Sequence, residues 1–398
     1  MSELTLRDRT AIVGVGATPY WRRGESRPRT TMELAAQALF AACDDAGLPI
    51  EAVDGFALYS MGFDVSLFAQ WLNLDVRFSA MLTGGGGGSA GSVGLAAAAV
   101  VSGQATCVAS IMSLQQAASR FGAAFAPGAR RPGTYRAPPS PEGSFLQPAG
   151  LMSPAQMFAL LTRRHMHRYG TRREHFAEVA VSTRANAVRR TTALMREPLT
   201  HEAYFSARMI ADPLCLYDCC LETDGAVAVL TTRVDRARDC RWPPVVIAAS
   251  AHGGAGRWGQ GITWLGMPDD SFASSGHRPV AEAAWRMAGL GPDDVDVALL
   301  YDHFSPLVIM QLEDYGFCPV GEGGPFVADG NIRWPDGRLP VNTHGGNLSE
   351  AYIIGMTHVM EAVEQLRGTA VNQVEGAEVA LVTGGPAGIP VSNLVLHR

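Results

Sequence analysis

The residues best suited to move protons in this chain fall into two short motifs. Tyr301-Asp302-His303-Phe304 directly follows the run VDVALL, and the segment NTHGGNLSEAY spans Asn342 to Tyr352. Phenols, imidazoles and carboxylates in such company can act as general acids and bases. Both motifs read as loops after apolar strands, which is where α/β folds gather functional side chains. A tyrosine at a strand end is otherwise a core-edge residue with one satisfied hydroxyl. Tyr301 and Tyr352 stand out by their neighbours Asp302, His303, His344, Asn347 and Glu350. A third feature is the run Gly84–Gly88 followed by Ser89, leading into a helix of small residues. Backbone N–H groups at such a turn can hold an oxyanion or an acyl carbonyl. Glycines there equally permit two buried helices to approach closely. No G-x-S-x-G surround marks Ser89 as a nucleophile.

Composition narrows the chemistry. All 32 cationic side chains are arginine, and the chain has no lysine. No lysine imine can form with a carbonyl substrate or pyridoxal phosphate, and no Walker A loop is possible. The seven cysteines make no C-x-x-C pair. Odd in number and scattered, they fit reduced cytoplasmic thiols rather than a disulfide framework. Cys215 and Cys219 have no second pair to complete a zinc site. With a net charge of −6 and no basic tract, nucleic acid is not an expected partner. The N-terminal MSELTLRDRT is too polar for a signal peptide, and GLAAAAVV is too short to span a bilayer. A cytoplasmic protein without a membrane span is therefore expected. TAIVGVGATPY approaches a dinucleotide fingerprint but lacks its third glycine, and Pro19, Trp21 and RRGESRPR interrupt the helix start. A tight turn is expected there instead.

The elements that must position these residues show a repeat. AGLPIEAVDGFALY (Ala46–Tyr59) matches AGLGPDDVDVALLY (Ala288–Tyr301) without a gap, at a constant offset of 242. Each copy follows an alanine-rich helical stretch and ends in an apolar strand tipped by tyrosine. GLAAAAVVSGQATCVASIM and the later GMTHVMEAVEQLRG with EVALVTGG both read as helix, turn, strand. TAIVGVG and PVVIAAS open the two halves as strands. The pattern predicts two duplicated α/β domains with crossover connections, over residues 1–125 with 200–240 and over 241–398. Residues 126–199 are expected to be an inserted loop and lid region. Its first part is rich in proline and glycine, and helices follow, the first capped by Ser153 with Pro154 at its start. Arg163, Arg164, Arg172 and Arg173 on those helices either meet phosphates or face solvent. MGFDVSLFAQWL and GITWLGM line either an apolar pocket or a dimer surface.

On TAIVGVGATPY, PLCLYDCCLETDGAVAVL, YDHFSPLVIMQLEDYGFCPVGEGG and NTHGGNLSEAYIIGMTHVMEAVEQLRG, the whole chain resembles the thiolase superfamily, in its lipid-transfer-protein branch. The resemblance implies a duplicated five-layered α-β-α-β-α fold and a homodimer. It also implies that the family's nucleophilic cysteine corresponds to a position near Gly86, its Asn/His-bearing motif to Tyr301 and its GHP histidine to Tyr352. The late cysteine is absent from LVTGGPAG. Acyl transfer through a covalent acyl-cysteine is thereby ruled out at that position. The substitutions resemble those of steroid side-chain-cleaving retro-aldolases. That implies cleavage of a β-hydroxyacyl-CoA to a 17-ketosteroid and propionyl-CoA without metal, imine or bound cofactor, CoA being part of the substrate. It further implies a DUF35 (OB-fold) partner, either free or fused to a hydratase subunit, in an α2β2 complex.

Under that resemblance Tyr301, Tyr352, His303, Asp302 and His344 are the catalytic candidates. Gly86, Gly88, Ser89, Gly345, Gly346 and Gly385 are the candidates for thioester binding through backbone N–H groups. The order favoured has Tyr352 as base and Tyr301 as its partner, with the swapped order open. A free tyrosine has a pKa of about 10, so the base needs a donor or a positive field, from His303, His344 or an arginine. Asp302 either orients His303 or caps the helix starting near Ser305. Competing readings are a non-catalytic acyl-CoA or lipid binder, a scaffold for a hydratase, and an aldolase acting on a non-steroidal thioester.

Overall fold

The computed structural model describes residues 6–59, 62–82, 86–116, 148–151, 153–254, 271–385 and 390–398. Its strands are β1 (Thr10–Ala17), β2 (Trp21–Arg22), β3 (Gly55–Tyr59), β4 (Phe78–Leu82), β5 (Cys107–Leu114), β6 (Met209–Ala211), β7 (Leu214–Cys215), β8 (Thr223–Arg233), β9 (Val245–Gly253), β10 (Val297–Leu299), β11 (Val379–Gly384) and β12 (Val391–His397). The helices are α1 (Thr31–Ala46), α2 (Val65–Trp71), α3 (Gly88–Val101), α4 (Pro154–Tyr169), α5 (Arg173–Val188), α6 (His201–Phe205), α7 (Val234–Ala237), α8 (Arg278–Ala288), α9 (Ser305–Asp314), α10 (Gly323–Ala328) and α11 (Met356–Arg367). GITWLGM, Met61 and residues 127–147 of the expected insertion lie outside the described residues.

The main sheet runs β10-β11-β12-β9-β1-β8-β5-β3-β4. It consists of two equivalent halves. In the first, β3 pairs parallel with β5, and β8 is antiparallel to both β5 and β1. In the second, β10 pairs parallel with β11, and β12 is antiparallel to both β11 and β9. A parallel bridge from Ala298 to Val341 stands where β4 stands in the first half. Within the sheet, β1 and β9 join the halves through the pairs Ala11–Val246 and Ile12–Val245.

The sequence repeat has a physical cause at each end. Gly47 and Gly289 both adopt left-handed C-caps, with φ of 71° and 66°, a conformation that glycine adopts freely. One 3₁₀ turn follows each, at Ile50–Ala52 and Pro292–Asp294. Asp54 then accepts the backbone N–H groups of Thr106 and Cys107, and Asp296 accepts those of Glu378 and Val379. Each aspartate thus ties the start of one strand to its parallel neighbour.

Helices α3 and α11 lie between the two halves. A side chain on Gly94 would run into Ser250, and one on Gly91 into His252, so α3 sits tight against the second half. It shows no polar stripe because every side is covered. Met356, Val359 and Val363 of α11 share a core with Ile12 and Val229 of one half and Val382 and Leu394 of the other. α1 covers the outer face of the first half through Leu34, Ala38 and Ala42. α5, α8 and α9 cover the second through Phe176, Ala284 and Ile309. The five layers are those of the duplicated thiolase-like architecture.

Ser153 caps α4 with Pro154 at its first turn, as its sequence predicts. Helix α5, within the expected lid region, is a packed core layer. Phe176, Ala177, Val179 and Ala180 join Val308, Ile309 and Leu312 of α9. α4 in turn packs Phe158 and Leu161 against Phe304, Leu307 and Met310.

Candidate active site

The two motifs converge on a contact between phenols. Beyond β10, the backbone of residue 300 is clasped by Asn342: Leu300 N donates to Asn342 Oδ1 at 2.8 Å, and Asn342 Nδ2 donates to Leu300 O at 2.9 Å. Tyr301 N donates to Thr383 Oγ1 and Tyr301 O accepts from Gln311 Nε2, both at 2.8 Å. Tyr352 is fixed from the other side, its N–H donating to Thr223 Oγ1, whose hydroxyl donates to the Tyr352 carbonyl at 2.9 Å. With both backbones held, the hydroxyls of Tyr301 and Tyr352 lie 3.2 Å apart. They are 1% and 5% exposed.

Burial pushes both phenols well above the ordinary tyrosine range. Each is pushed further by a neighbour, Tyr352 in the case of Tyr301 and the thiol of Cys220 in the case of Tyr352. The shared hydrogen bond raises Tyr301 and lowers Tyr352. The positive field sought from a histidine is not provided by His303 or His344. Burial holds both neutral: His303 is pushed down to about 3, and His344 falls well below the ordinary range, helped by His358 and Arg190.

The glycine run makes room for this pair. A side chain on Gly86 would collide with the Tyr301 ring, and one on Gly88 with the ring of Tyr59. Tyr59 is Tyr301's counterpart in the repeat, so the repeat itself was the signal that could have found it. Ser89 donates its hydroxyl to Gly86 O at 3.0 Å and is fully buried. Gly385 has its carbonyl bonded by His277 Nε2 at 3.2 Å.

Asp302 neither orients His303 nor caps α9. Its carboxylate accepts from Asn347 N at 2.8 Å, from Leu348 N at 3.4 Å and from His358 Nε2 at 3.1 Å. A buried carboxylate here bolts the second motif to the first. Gly346 has φ of 58°, and a side chain on it would overlap the Asp302 carboxylate; Gly345 is packed as closely on Ala187. Gly345 N is used by Asn342 O at 2.8 Å. These two glycines therefore serve close packing between the motifs. His344 lies behind them, its ring 4.7 Å from that of His358. Sequence reasoning missed His358 and Cys220. His358 reads as an ordinary helix position, and its contact with Asp302 spans 56 residues.

The arginines of α4 and α5 are mostly engaged. Arg163 pairs with Asp212, Arg172 lies 3.9 Å from Glu174, and Arg173 stacks over Tyr204 and Phe205. Among the described residues, no group of three or more His, Cys, Asp or Glu is placed to hold a metal. No helix among them is long and apolar enough to cross a membrane.

Comparison with known proteins places this geometry. The thiolase C-terminal domain-like family matches residues 265–396. A 17-hydroxy-3-oxo-4-pregnene-20-carboxyl-CoA lyase of Mycobacterium tuberculosis is 39% identical, over 98% of this chain and 100% of its own length. The chain belongs to the thiolase superfamily, among its aldolases. Another superfamily member, the steroid side-chain-cleaving aldolase of Thermomonospora curvata, is 37% identical over 97% of both chains. The solved Ltp2-ChsH2(DUF35) aldolase superposes with a TM-score of 0.89 at 36% identity, covering 99% of this chain and 98% of that one. This member of the superfamily has two phenols in contact, Tyr301 and Tyr352, at the positions to which the resemblance assigns the Asn/His-bearing motif and the GHP histidine of acyl-transfer enzymes.

Proposed function

We propose that this chain is a carbon–carbon lyase that removes the side chain of a steroid CoA thioester by retro-aldol cleavage. The substrate is a β-hydroxyacyl-CoA, 17-hydroxy-3-oxo-4-pregnene-20-carboxyl-CoA or a near relative, and the products are a 17-ketosteroid and propionyl-CoA. Support comes from full-length similarity to two proteins described as cleaving such compounds. The observation that carries the mechanism is the 3.2 Å contact between Tyr301 and Tyr352.

The reaction moves one proton from the substrate hydroxyl to the α-carbon. Two hydrogen-bonded phenols can carry it without either becoming a free phenolate, which burial without a nearby cation would penalise. Tyr301 accepts the hydroxyl proton while passing its own to Tyr352. The bond between the carbinol carbon and the α-carbon breaks, leaving a ketone, and its electron pair enters the thioester as an enolate. In the same movement Tyr352 gives its own proton to the α-carbon, so that neither phenol carries a second proton. Both tyrosines end as they began. This is the swapped order. Either hydroxyl can donate across the 3.2 Å contact, so the opposite order would use the same bond.

The assembly we propose is a homodimer bearing a DUF35 partner on each chain, that partner being either free or fused to a hydratase subunit. The DUF35 part of this reading is supported by the solved relative, which is described as an Ltp2-ChsH2(DUF35) aldolase. For the dimer, β4 ends the sheet, and Leu67 and Trp71 of the adjoining α2 are 53% and 51% exposed. The seven cysteines are free, which suits the cytoplasm. To test the reading, the chain is co-produced with its DUF35 partner and given the 17-hydroxy C22 steroid thioester. Mass spectrometry should find the 17-ketosteroid and propionyl-CoA. Saturable binding with the thioester unchanged would establish a lipid-binding or scaffolding protein instead.

A further inference from the structure

Beside the tyrosine pair stands a polar side chain that the folded chain leaves unsatisfied. His303 is 6% exposed, and neither ring nitrogen has a hydrogen-bond partner. Its ring is enclosed by aromatic neighbours, with centroids 4.5 Å from Phe158, 4.9 Å from Phe304 and 5.1 Å from Tyr301. Its backbone is fixed, since the His303 carbonyl accepts from Cys220 N at 2.9 Å. Leaving a buried polar group unpaired costs about 1–3 kcal/mol. A fold tolerates that where a ligand completes the bond.

Two other buried side chains near the motifs are also unpaired, His344 and Asn347. His344 is fully enclosed, packs edge-on against His358 and has its Nε2 4.0 Å from Glu350 Oε2. Asn347 spends its backbone N–H on Asp302 and its carbonyl on Leu221. Of the three, His303 is the one whose ring is in aromatic contact with Tyr301.

The retro-aldol reading, on which this inference rests, gives the phenols two atoms to serve, the hydroxyl oxygen and the α-carbon. Charge also builds on the thioester oxygen as the enolate forms, and no side chain named in the mechanism meets it. We propose that His303 is a substrate-contacting residue, its neutral imidazole N–H donating a hydrogen bond to the thioester oxygen as that oxygen becomes an enolate. A neutral imidazole in a water-poor site is a fitting donor for a developing oxyanion, because it needs no reorganisation when the charge appears. Burial together with His277 keeps the ring uncharged.

The test is His303→Phe in the complex with the DUF35 partner, beside wild type and His303→Gln. Phenylalanine keeps a ring against Phe158 and Phe304 but removes the donor. The melting temperature should stay level or rise, because an unsatisfied polar group has gone. The turnover number should fall by about 100-fold or more, with KM for the thioester little changed. His303→Gln, which retains an N–H, should recover part of the rate. Wild-type turnover retained in His303→Phe would overturn the inference, as would a fall in melting temperature that accounts for the lost rate. A wild-type complex that releases no ketosteroid would sink the retro-aldol reading itself, and the role of His303 with it.

Discussion

The phenol of Tyr301 fills the space that a side chain on Gly86 would need. The position that the thiolase resemblance assigns to a nucleophilic cysteine is here bare backbone, and the vacated volume holds the group we propose to move the proton. The two residues form one device. Gly86→Ala should displace Tyr301 from Tyr352 and lower turnover by about 100-fold, the scale expected for a misplacement near 1 Å. Gly86→Cys should do the same without creating thiolytic activity. Steady-state kinetics with a thiolysis assay alongside would check both, and an active Gly86→Ala would show that the contact with Tyr352 is dispensable.

Tyr301→Phe and Tyr352→Phe should each lower turnover by roughly 10²- to 10⁴-fold. Because the hydroxyls act as one relay, the double variant should be little worse than either single one. Burial raises both phenols well above the ordinary range. The wild-type rate should therefore show no tyrosine titration at or below about pH 10. A basic limb near neutrality that vanishes in Tyr352→Phe would mean that a phenolate, rather than a relay, is the working base.

Much of this arrangement was legible in the sequence. Tyr301 stands out as a tyrosine at a strand end and Tyr352 as one closing a glycine loop rich in polar residues, and the 242-residue offset announces the duplication. The repeat is readable because the same glycine cap, 3₁₀ turn and strand-tying aspartate are needed in both halves. Partnerships across long loops were not legible. Asp302 looked like a cap for α9, because a short polar residue before a helix usually is one. Its real partners, Asn347, Leu348 and His358, are set by how α11 enters the middle layer. The charge state of His303 was equally hidden, since it depends on the rings that enclose it. The core role of α5 is not legible because its polar residues leave no clear apolar face, although Arg184 and Asn186 are buried through specific bonds.

Asp302 yields the third prediction. Its carboxylate satisfies two backbone N–H groups and His358 inside a fully buried site. Asp302→Ala leaves the N–H groups of Asn347 and Leu348 without an acceptor, while His358 keeps the Leu300 carbonyl at 3.1 Å, and should destabilise the fold by on the order of 3 kcal/mol. It should also lower turnover, because the tie between the loops carrying Tyr301 and Tyr352 is lost. Denaturant unfolding and kinetics on the same sample would separate the two effects. An unchanged midpoint would mean that the motifs are held together by other contacts.

Behind the second motif, Arg190 donates to Glu350 at 2.9 Å, Glu361 at 2.7 Å and Glu364 at 3.1 Å. One cation cannot balance three carboxylates, two of which, Glu350 and Glu361, are buried. Glu361 is pushed up to about 8, by burial first and then by Glu364, against the lowering effects of Arg190, Thr343 and Gln365. The folded chain thus holds a proton on Glu361 that the unfolded chain releases near the ordinary value of 4.5. Between those values the folded state binds more protons, so this contribution to stability falls as pH rises. It is fully present below pH 4.5 and lost as pH passes through about 8. The melting temperature should accordingly decline from pH 6 to pH 9, and Glu361→Gln, which fixes the neutral form, should flatten that decline. A wild-type curve already flat over this range would mean that Arg190 suffices to keep Glu361 ionised.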